Sequence, residues 1–357
     1  GEGQGNLERC RIDHIYAEDC AGDYPHPTGG PGNGIIFTVN YCTIGMVHQK
    51  NCEGGVKIQD DSSYTMVDTV IVEGGANTTE NAGFKLQGAD GQRSVIGVHV
   101  GRVITKDNLS QALYFSETTD CYIGSYHGTD NVGVGATAVR DVVIRESTRP
   151  RIGNIVVTNG NVLIADTVDD YEIGTIAVSG TITTNIAVQD ESLGDGNIGS
   201  IVAIDTQGTP TLQYAYRQTG TGGGHIGSVK TNVDFSTTYP AALLVQGSGK
   251  TIGKIVNGSG DPTADVVQLT DTDTSTVVAN DNVYKVYLGA SGNYMEPVIE
   301  IQAHEADGQV AIGSGWRVVM NDISAGGGFT IHHGTAGNSD YVHWRIAEWR
   351  VKATAAT

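Results

Sequence analysis

Arg151-Ile152-Gly153-Asn154-Ile155 is one copy of a word that recurs along the chain. An Ile-Gly opening stands at Ile44, Ile96, Ile123, Ile152, Ile173, Ile198, Ile226 and Ile252. Two further copies carry Asp in place of Gly, at Ile12-Asp13-His14-Ile15 and Val67-Asp68-Thr69-Val70. Successive starts lie 21 to 32 residues apart. Self-similarity at that period belongs to stacked architectures, in which one unit cannot bury its apolar face alone.

A second word precedes the next copy of the first by six to nine residues. It is an apolar triplet: Ile35-Ile36-Phe37, Val56-Lys57-Ile58, Phe84-Lys85-Leu86, Leu113-Tyr114-Phe115, Val142-Val143-Ile144, Val162-Leu163-Ile164, Ile186-Ala187-Val188, Tyr214-Ala215-Tyr216 and Leu243-Leu244-Val245. Its outer positions stay apolar while the middle one varies, which is the period of a short half-buried strand. The Ile-Gly-x-Ile word breaks that period, because its apolar residues are three apart. A corner accounts for it: the chain leaves one strand at Ile, turns through Gly-x, and enters the next strand. Glycine tolerates positive φ at such a corner, and Asp is a fair substitute. No sustained helical stripe exists. Three short strands per roughly 26 residues, repeated about ten times, predict an all-β chain folded as a right-handed parallel β-helix. A leucine-rich horseshoe lacks its leucine framework here, and a β-propeller needs four strands per repeat.

Glycine supplies 50 of 357 residues, fitting many tight turns, and the formal net charge is −19. That charge argues against nucleic acid and against a membrane surface. No apolar run reaches the length of a membrane span, and no signal peptide is visible. The repeat begins within about ten residues of Gly1, so a fragment is expected whose N-terminal attachment part is absent. Of five cysteines, Cys10, Cys42 and Cys121 each sit two residues before the repeat Ile, in one column. Cys20 and Cys52 each fall eight residues after it. Stacking places such pairs within disulfide reach; buried thiols in a core ladder are the other reading.

The helix is expected over residues 1–281 and a C-terminal β-domain over 282–357, capping the open end. That domain holds Trp316, Trp344 and Trp349, each followed by Arg. Val298 to Ile301 and Phe329 to Ile331 read as antiparallel strands. His332-His333 brings no third ligand, so no metal site is assigned, and no cofactor motif is present. A Gly/Pro-rich excursion, Tyr24 to Pro31, reads as a surface loop. Long connections, Val72 to Gly83, Gly101 to Ala112 and His127 to Asp141, cluster on neighbouring coils and are expected to wall a groove.

The middle triplet residues point outward. Lys57, Lys85 and Tyr114 form a polar stretch beside those connections. Val143, Leu163, Ala187, Ala215 and Leu244 form an apolar strip, expected to face partner subunits. Two residues past the triplets runs a column of Asp60, Gly88, Glu117, Glu146, Asp166, Asp190, Gln218, Gly247 and Asp271. Carboxylates one coil apart sit about 5 Å apart, and two coils apart about 10 Å. Those spacings bracket the retaining and inverting glycosidase geometries. Like charges this close favour one carboxyl keeping a proton for acid catalysis. Glu117, Glu146 and Asp60 are therefore the candidate hydrolytic residues, with Asp120 placed in the same turn as Glu117. Lys85 and Tyr114 are the alternative, a base set for uronide β-elimination. Substrate contacts are assigned to Lys57, Lys85, Tyr114, Asp120 and His127.

The coil words I-G-N-I, I-G-T-I and I-G-S-I, the acidic balance and the aromatic-bearing C-terminal segment resemble virus tailspike proteins of the pectate-lyase-like β-helix superfamily. The resemblance implies an extracellular virion protein, a homotrimer that binds and often cleaves a host cell-surface polysaccharide. No family catalytic motif matches residue by residue, so none is carried over. A non-enzymatic adhesive fibre and a monomeric secreted polysaccharide lyase are the other readings. Acidity is unusual against an anionic glycan; a saline habitat, bound Ca²⁺ or a neutral glycan would each account for it.

Overall fold

The computed structural model describes residues 7–19, 35–52, 54–74, 83–88, 94–108, 111–131, 140–182, 186–206, 212 and 214–232, and beyond these essentially the strand backbone alone. The described residues contain strands and turns and no helix. Long strands run from Arg11–Glu18 through Thr43–Lys50, Met66–Glu73, His99–Lys106, Tyr122–Thr129, Arg151–Thr158, Tyr171–Gly180, Gly196–Asp205 and Gly224–Thr231 to Lys250–Asn257. Each pairs in parallel with the next. Short strands alternate with them along the chain, from Ile35–Phe37 to Leu243–Leu244, and form their own parallel ladder. A thin third side is made of two-residue pairings and single bridges, such as Thr118–Thr119 on Val95–Ile96 and Thr119 on Thr148. The chain is a parallel β-helix.

The Ile-Gly-x-Ile word does not divide two strands. It bends one. In Arg151–Thr158 both Ile152 and Ile155 are buried while the ladder continues through them. Glycine is there for space rather than for φ. A Cβ on Gly153 would lie 2.3 Å from the carbonyl oxygen of Gly124, and one on Gly174 would lie 2.2 Å from that of Gly153. The same collision recurs at Gly124, Gly199, Gly227 and Gly253, each 2.4 Å from the glycine oxygen one coil earlier. The copy expected at Ile96 is also displaced. Val100-Gly101-Arg102-Val103 occupies the ladder position, pairing Val100 with Val67 and Ile123. Gly97 instead takes φ +61° just before that strand.

Left-handed backbone falls at the true corners. The residue after the long strands from Arg11–Glu18 to Arg151–Thr158 has positive φ: Asp19, Asn51, Gly74, Asp107, Asp130 and Asn159; in Tyr171–Gly180 the last residue, Gly180, takes it. Two residues before the long strands from Arg11–Glu18 to Arg151–Thr158 stand Arg9, Tyr41, Tyr64, Gly97, Asp120 and Arg149, and one residue before Tyr171–Gly180 stands Asp170, again with positive φ. After the short strands come Asp60, Glu117 and Glu146. Asn, Asp and Gly suit that conformation; bulkier residues cost about 1–2 kcal/mol there.

The core is a continuous apolar column that includes Ile44, Ile58, Leu86, Phe115, Ile144, Ile173 and Ile201. Two corners carry buried polar groups instead. The Tyr126 hydroxyl donates to Asp141 and lies 2.7 Å from the Thr105 hydroxyl, while the Asn131 amide donates to Asp141 at 3.3 Å. Asp190 accepts from Tyr171 and Tyr216, both at 2.6 Å, and from Ser192 at 2.5 Å.

Two outward assignments fail because the short-strand register shifts by two residues. Leu163 pairs with Gln189, Gln189 with Arg217, and Arg217 with Leu244. Ala187 and Ala215 are therefore core residues, each 0% exposed. Val143 and Leu163 keep the column but are buried, so the expected apolar strip is not a free surface; the Leu244 side chain lies outside the described residues. The same shift puts Asp190 and Gln218 in line with Ile164, inside the core rather than on the carboxylate column.

Antiparallel pairing joins Asn293–His304 to Tyr341–Val351, and Phe329–His332 to Arg317–Met320. It reaches back before residue 282, because Ala264–Gln268 and Ser275–Val278 pair with it. Val286–Leu288 still continues the short parallel ladder on Leu243–Leu244. Trp344 and Trp349 lie in the last strand. Cys20, residues 24–31, Gly247, Asp271, Trp316 and His333 lie outside the described residues, as do 75–82, 109–110 and 132–139 of the three long connections.

Candidate functional site

In-register pairing stacks Lys57, Lys85 and Tyr114 on the outer side of the short-strand ladder. The Lys85 ammonium lies 5.5 Å from the centre of the Tyr114 ring, a cation–π contact worth about 0.5–1 kcal/mol when exposed. Lys57 is half-buried, and that desolvation lowers its pKa, opposed by nearby Asp60. Beyond the strand ends, Glu117 and Glu146 occupy neighbouring coils. Both line one open concavity of about 560 Å³, with Ser94, Thr119, Arg145 and Thr148. Asp60 stands two coils earlier in the same column, at the end of Val56–Gln59.

Glu146 is held on three sides. Arg145 forms an ion pair with it, the Ser116 hydroxyl donates to it at 3.3 Å, and its own amide donates to Thr167 at 2.9 Å. Arg145 also interacts with the Tyr114 hydroxyl; Glu146 first, and then Tyr114, raise its pKa against the lowering effect of burial. Arg145 thus joins the two residue sets that the sequence kept separate. It escaped notice because it ends a short strand, where the triplet pattern no longer constrains the residue.

Glu117 and Glu146 sit at φ 53° and 46°. Asp60, in the same column, has the residue type that conformation favours. Retaining two glutamates where Asn or Gly fits better is strain of the kind that gathers at functional positions. We expect Glu117→Asn to melt higher than the parent, by about 1 kcal/mol of stability, in a thermal denaturation series. A lower midpoint would mean that the Glu117 side chain holds the corner together.

Asp120 and His127 do not belong to this cluster. Thr118 and Thr119 separate Glu117 from Asp120, which lies on the far side of the thin third sheet. Arg149 clamps Asp120 through two hydrogen bonds, 2.6 and 2.8 Å, and holds its carboxyl below the usual range. His127 faces outward from the long strands, half-buried; burial first, then Arg102, lowers its pKa. The long connections enter before the short strands, whereas Glu117 and Glu146 follow them.

A second open concavity, about 610 Å³, lies on the long-strand side, lined by His99, Asp120, Tyr122, Arg151 and Glu172. His99 and Tyr122 meet edge-on at 5.8 Å. In the same corner column as Asp120, the rings of Tyr41 and Tyr64 stack at 5.4 Å, 59% and 57% exposed. A Cβ on Gly97, next in that column, would lie 3.0 Å from the Tyr64 ring. Sequence reasoning missed this ladder; its only signal was a tyrosine three residues before the repeat word in two successive copies, Tyr41 and Tyr64.

No family model matches the chain, and no curated protein matches it. Among solved structures, the chain is similar to the tailspike protein gp49 from Pseudomonas phage LKA1, with a TM-score of 0.34 and 11% identity over 97% of this chain and 67% of that one. The fold assignment rests on the parallel ladders themselves.

Proposed function

We propose that this chain is a tailspike-type virion protein that recognises and depolymerises a host cell-surface polysaccharide, with Glu117 and Glu146 as the cleaving pair. The observation that carries the reading is their placement on neighbouring coils around one open concavity. Coil stacking spaces their backbones by about 4.8 Å, which brings their carboxyl groups within range of the roughly 5–5.5 Å of retaining glycosidases. Glu146, paired with Arg145, is the anion that attacks the anomeric carbon. Glu117 gives its proton to the departing glycosidic oxygen, and then draws one from the water that releases the glycosyl-enzyme. The exposed Tyr41–Tyr64 stack supplies apolar ring faces on which sugars pack. The homotrimer that the tailspike resemblance implies has to be built on a surface other than the strip from Val143 to Leu163.

Tyr114 and Lys85 favour a second reading. Their contact with each other and the Tyr114–Arg145 interaction support a reading in which Tyr114 serves as base beside a cation, as β-elimination of a uronide requires. The purified protein should be incubated with a panel of bacterial and archaeal surface polysaccharides, following new reducing ends and the ultraviolet absorbance of unsaturated uronates. Reducing ends alone, lost by at least about 100-fold in Glu117→Gln and Glu146→Gln, support the hydrolase. Both signals together, lost in Tyr114→Phe, support the lyase. Bound but uncut glycan makes the protein an adhesive fibre.

A further inference from the structure

We propose that Cys10 and Cys42 close to a disulfide that stitches the coil of Arg11–Glu18 to the coil of Thr43–Lys50. The two residues directly precede Arg11 and Thr43, which pair in the long-strand ladder. Neighbouring strands there are about 4.8 Å apart, within the roughly 4.4–6.8 Å between Cα atoms that a disulfide spans. The two Sγ atoms lie 2.7 Å apart, and the Cys10 amide points at the Cys42 sulfur from 3.3 Å. The ladder holds across the pair, with Thr43 donating to the Cys10 carbonyl at 2.9 Å. Closure therefore asks for movement of the side chains alone.

The column continues through Thr65 and Val98 to Cys121, and then Pro150. Cys121 consequently has no cysteine above or below it. It is fully buried, and burial pushes its thiol up to about 11, so it is the inert member of the set. Cys10 is half-exposed and Cys42 buried, so an oxidant meets Cys10 first. A low-molecular-weight disulfide such as oxidised glutathione supplies the two electron holes required. The Cys10 thiolate attacks it, forms a mixed disulfide and releases one glutathione thiolate. The Cys42 thiolate then attacks Cys10 Sγ and releases the second. The protein loses two protons and two electrons, and one glutathione disulfide becomes two thiols.

The cross-link spans 32 residues of chain and ties together the two neighbouring long strands Arg11–Glu18 and Thr43–Lys50. The test is to incubate the full chain with oxidised glutathione, quench with acid, digest without reduction and map the fragments by mass. The expected result is a fragment joining residues 10 and 42 that dithiothreitol splits, and a melting midpoint that falls on reduction. Cys42→Ser should stop at a glutathione adduct on Cys10 and lose the reduction-sensitive midpoint, while Cys121→Ser behaves as the parent. Free thiols at both positions, or the parent halted at the Cys10 adduct with Cys42 still free, would overturn the proposal.

Discussion

Asp141→Asn should raise the stability of the protein at pH 8 and leave it nearly unchanged at pH 4. Asp141 is fully buried, and burial pushes its carboxyl from 3.8 to about 7, against the lowering effect of Tyr126 and Asn131. Its folded pKa is thus above its unfolded one. Stability from this group is complete below about pH 4 and is lost as pH rises toward 7, because the unfolded chain releases the proton first. A shift of about three units corresponds to roughly 4 kcal/mol, fully lost above pH 7. Asparagine reproduces the neutral acid. Its oxygen accepts from Asn131 and its amide donates to the Tyr126 hydroxyl, which turns its proton to Thr105. The measurement is the difference in unfolding free energy between variant and parent from pH 4 to 8. A difference that stays constant with pH would show that Asp141 does not titrate on folding.

The glycine column predicts the other large effect. Gly174→Ala drives a methyl toward the Gly153 carbonyl, and Gly153→Ala does the same to Gly124. Asp68 is accommodated at one coil, between Gly45 and Gly101, so a local shift relieves a single collision. Each single variant should therefore lose about 1–3 kcal/mol. The double variant needs two consecutive coils to shift the same ladder, and its loss should exceed the sum of the singles. Asp13→Ala, at a position of the column that already carries a Cβ, should stay within about 0.5 kcal/mol of the parent. Urea unfolding of the four proteins decides it; additive losses would mean that each coil relaxes alone.

The repeat, and hence the β-helix, was legible because stacked coils impose the same demand at the same position each time. What misled was that one letter answers two demands. Gly101 is small because a carbonyl approaches it, whereas Gly97, four residues earlier, is there for its φ of +61°. Only the second is what the sequence reading supposed, and it caused the Ile96 misplacement. The shift at Val188 and Tyr216 had a different origin. Asp190 and Gln218 fill core positions at the strand ends, and a polar residue in the core reads as surface until Tyr171 and Tyr216 are seen to satisfy Asp190. Glu117, Glu146, Lys85 and Tyr114 came together as placed, because their coils lie before that shift. Asp120 did not, since two threonines of a third strand cannot be told from a turn by pattern.

The left-handed corners also bear on charge. Asp19, Asp60, Asp61, Asp107, Asp120, Asp130 and Asp170 all have positive φ. Part of the net charge of −19 thus sits on residue types that suit the backbone where the chain bends. Asparagine serves the same backbone, as Asn51 and Asn159 already do. The isoelectric point of this protein can therefore drift over evolution, or be set by hand, through Asp-to-Asn exchange at its corners while the coils stay as they are.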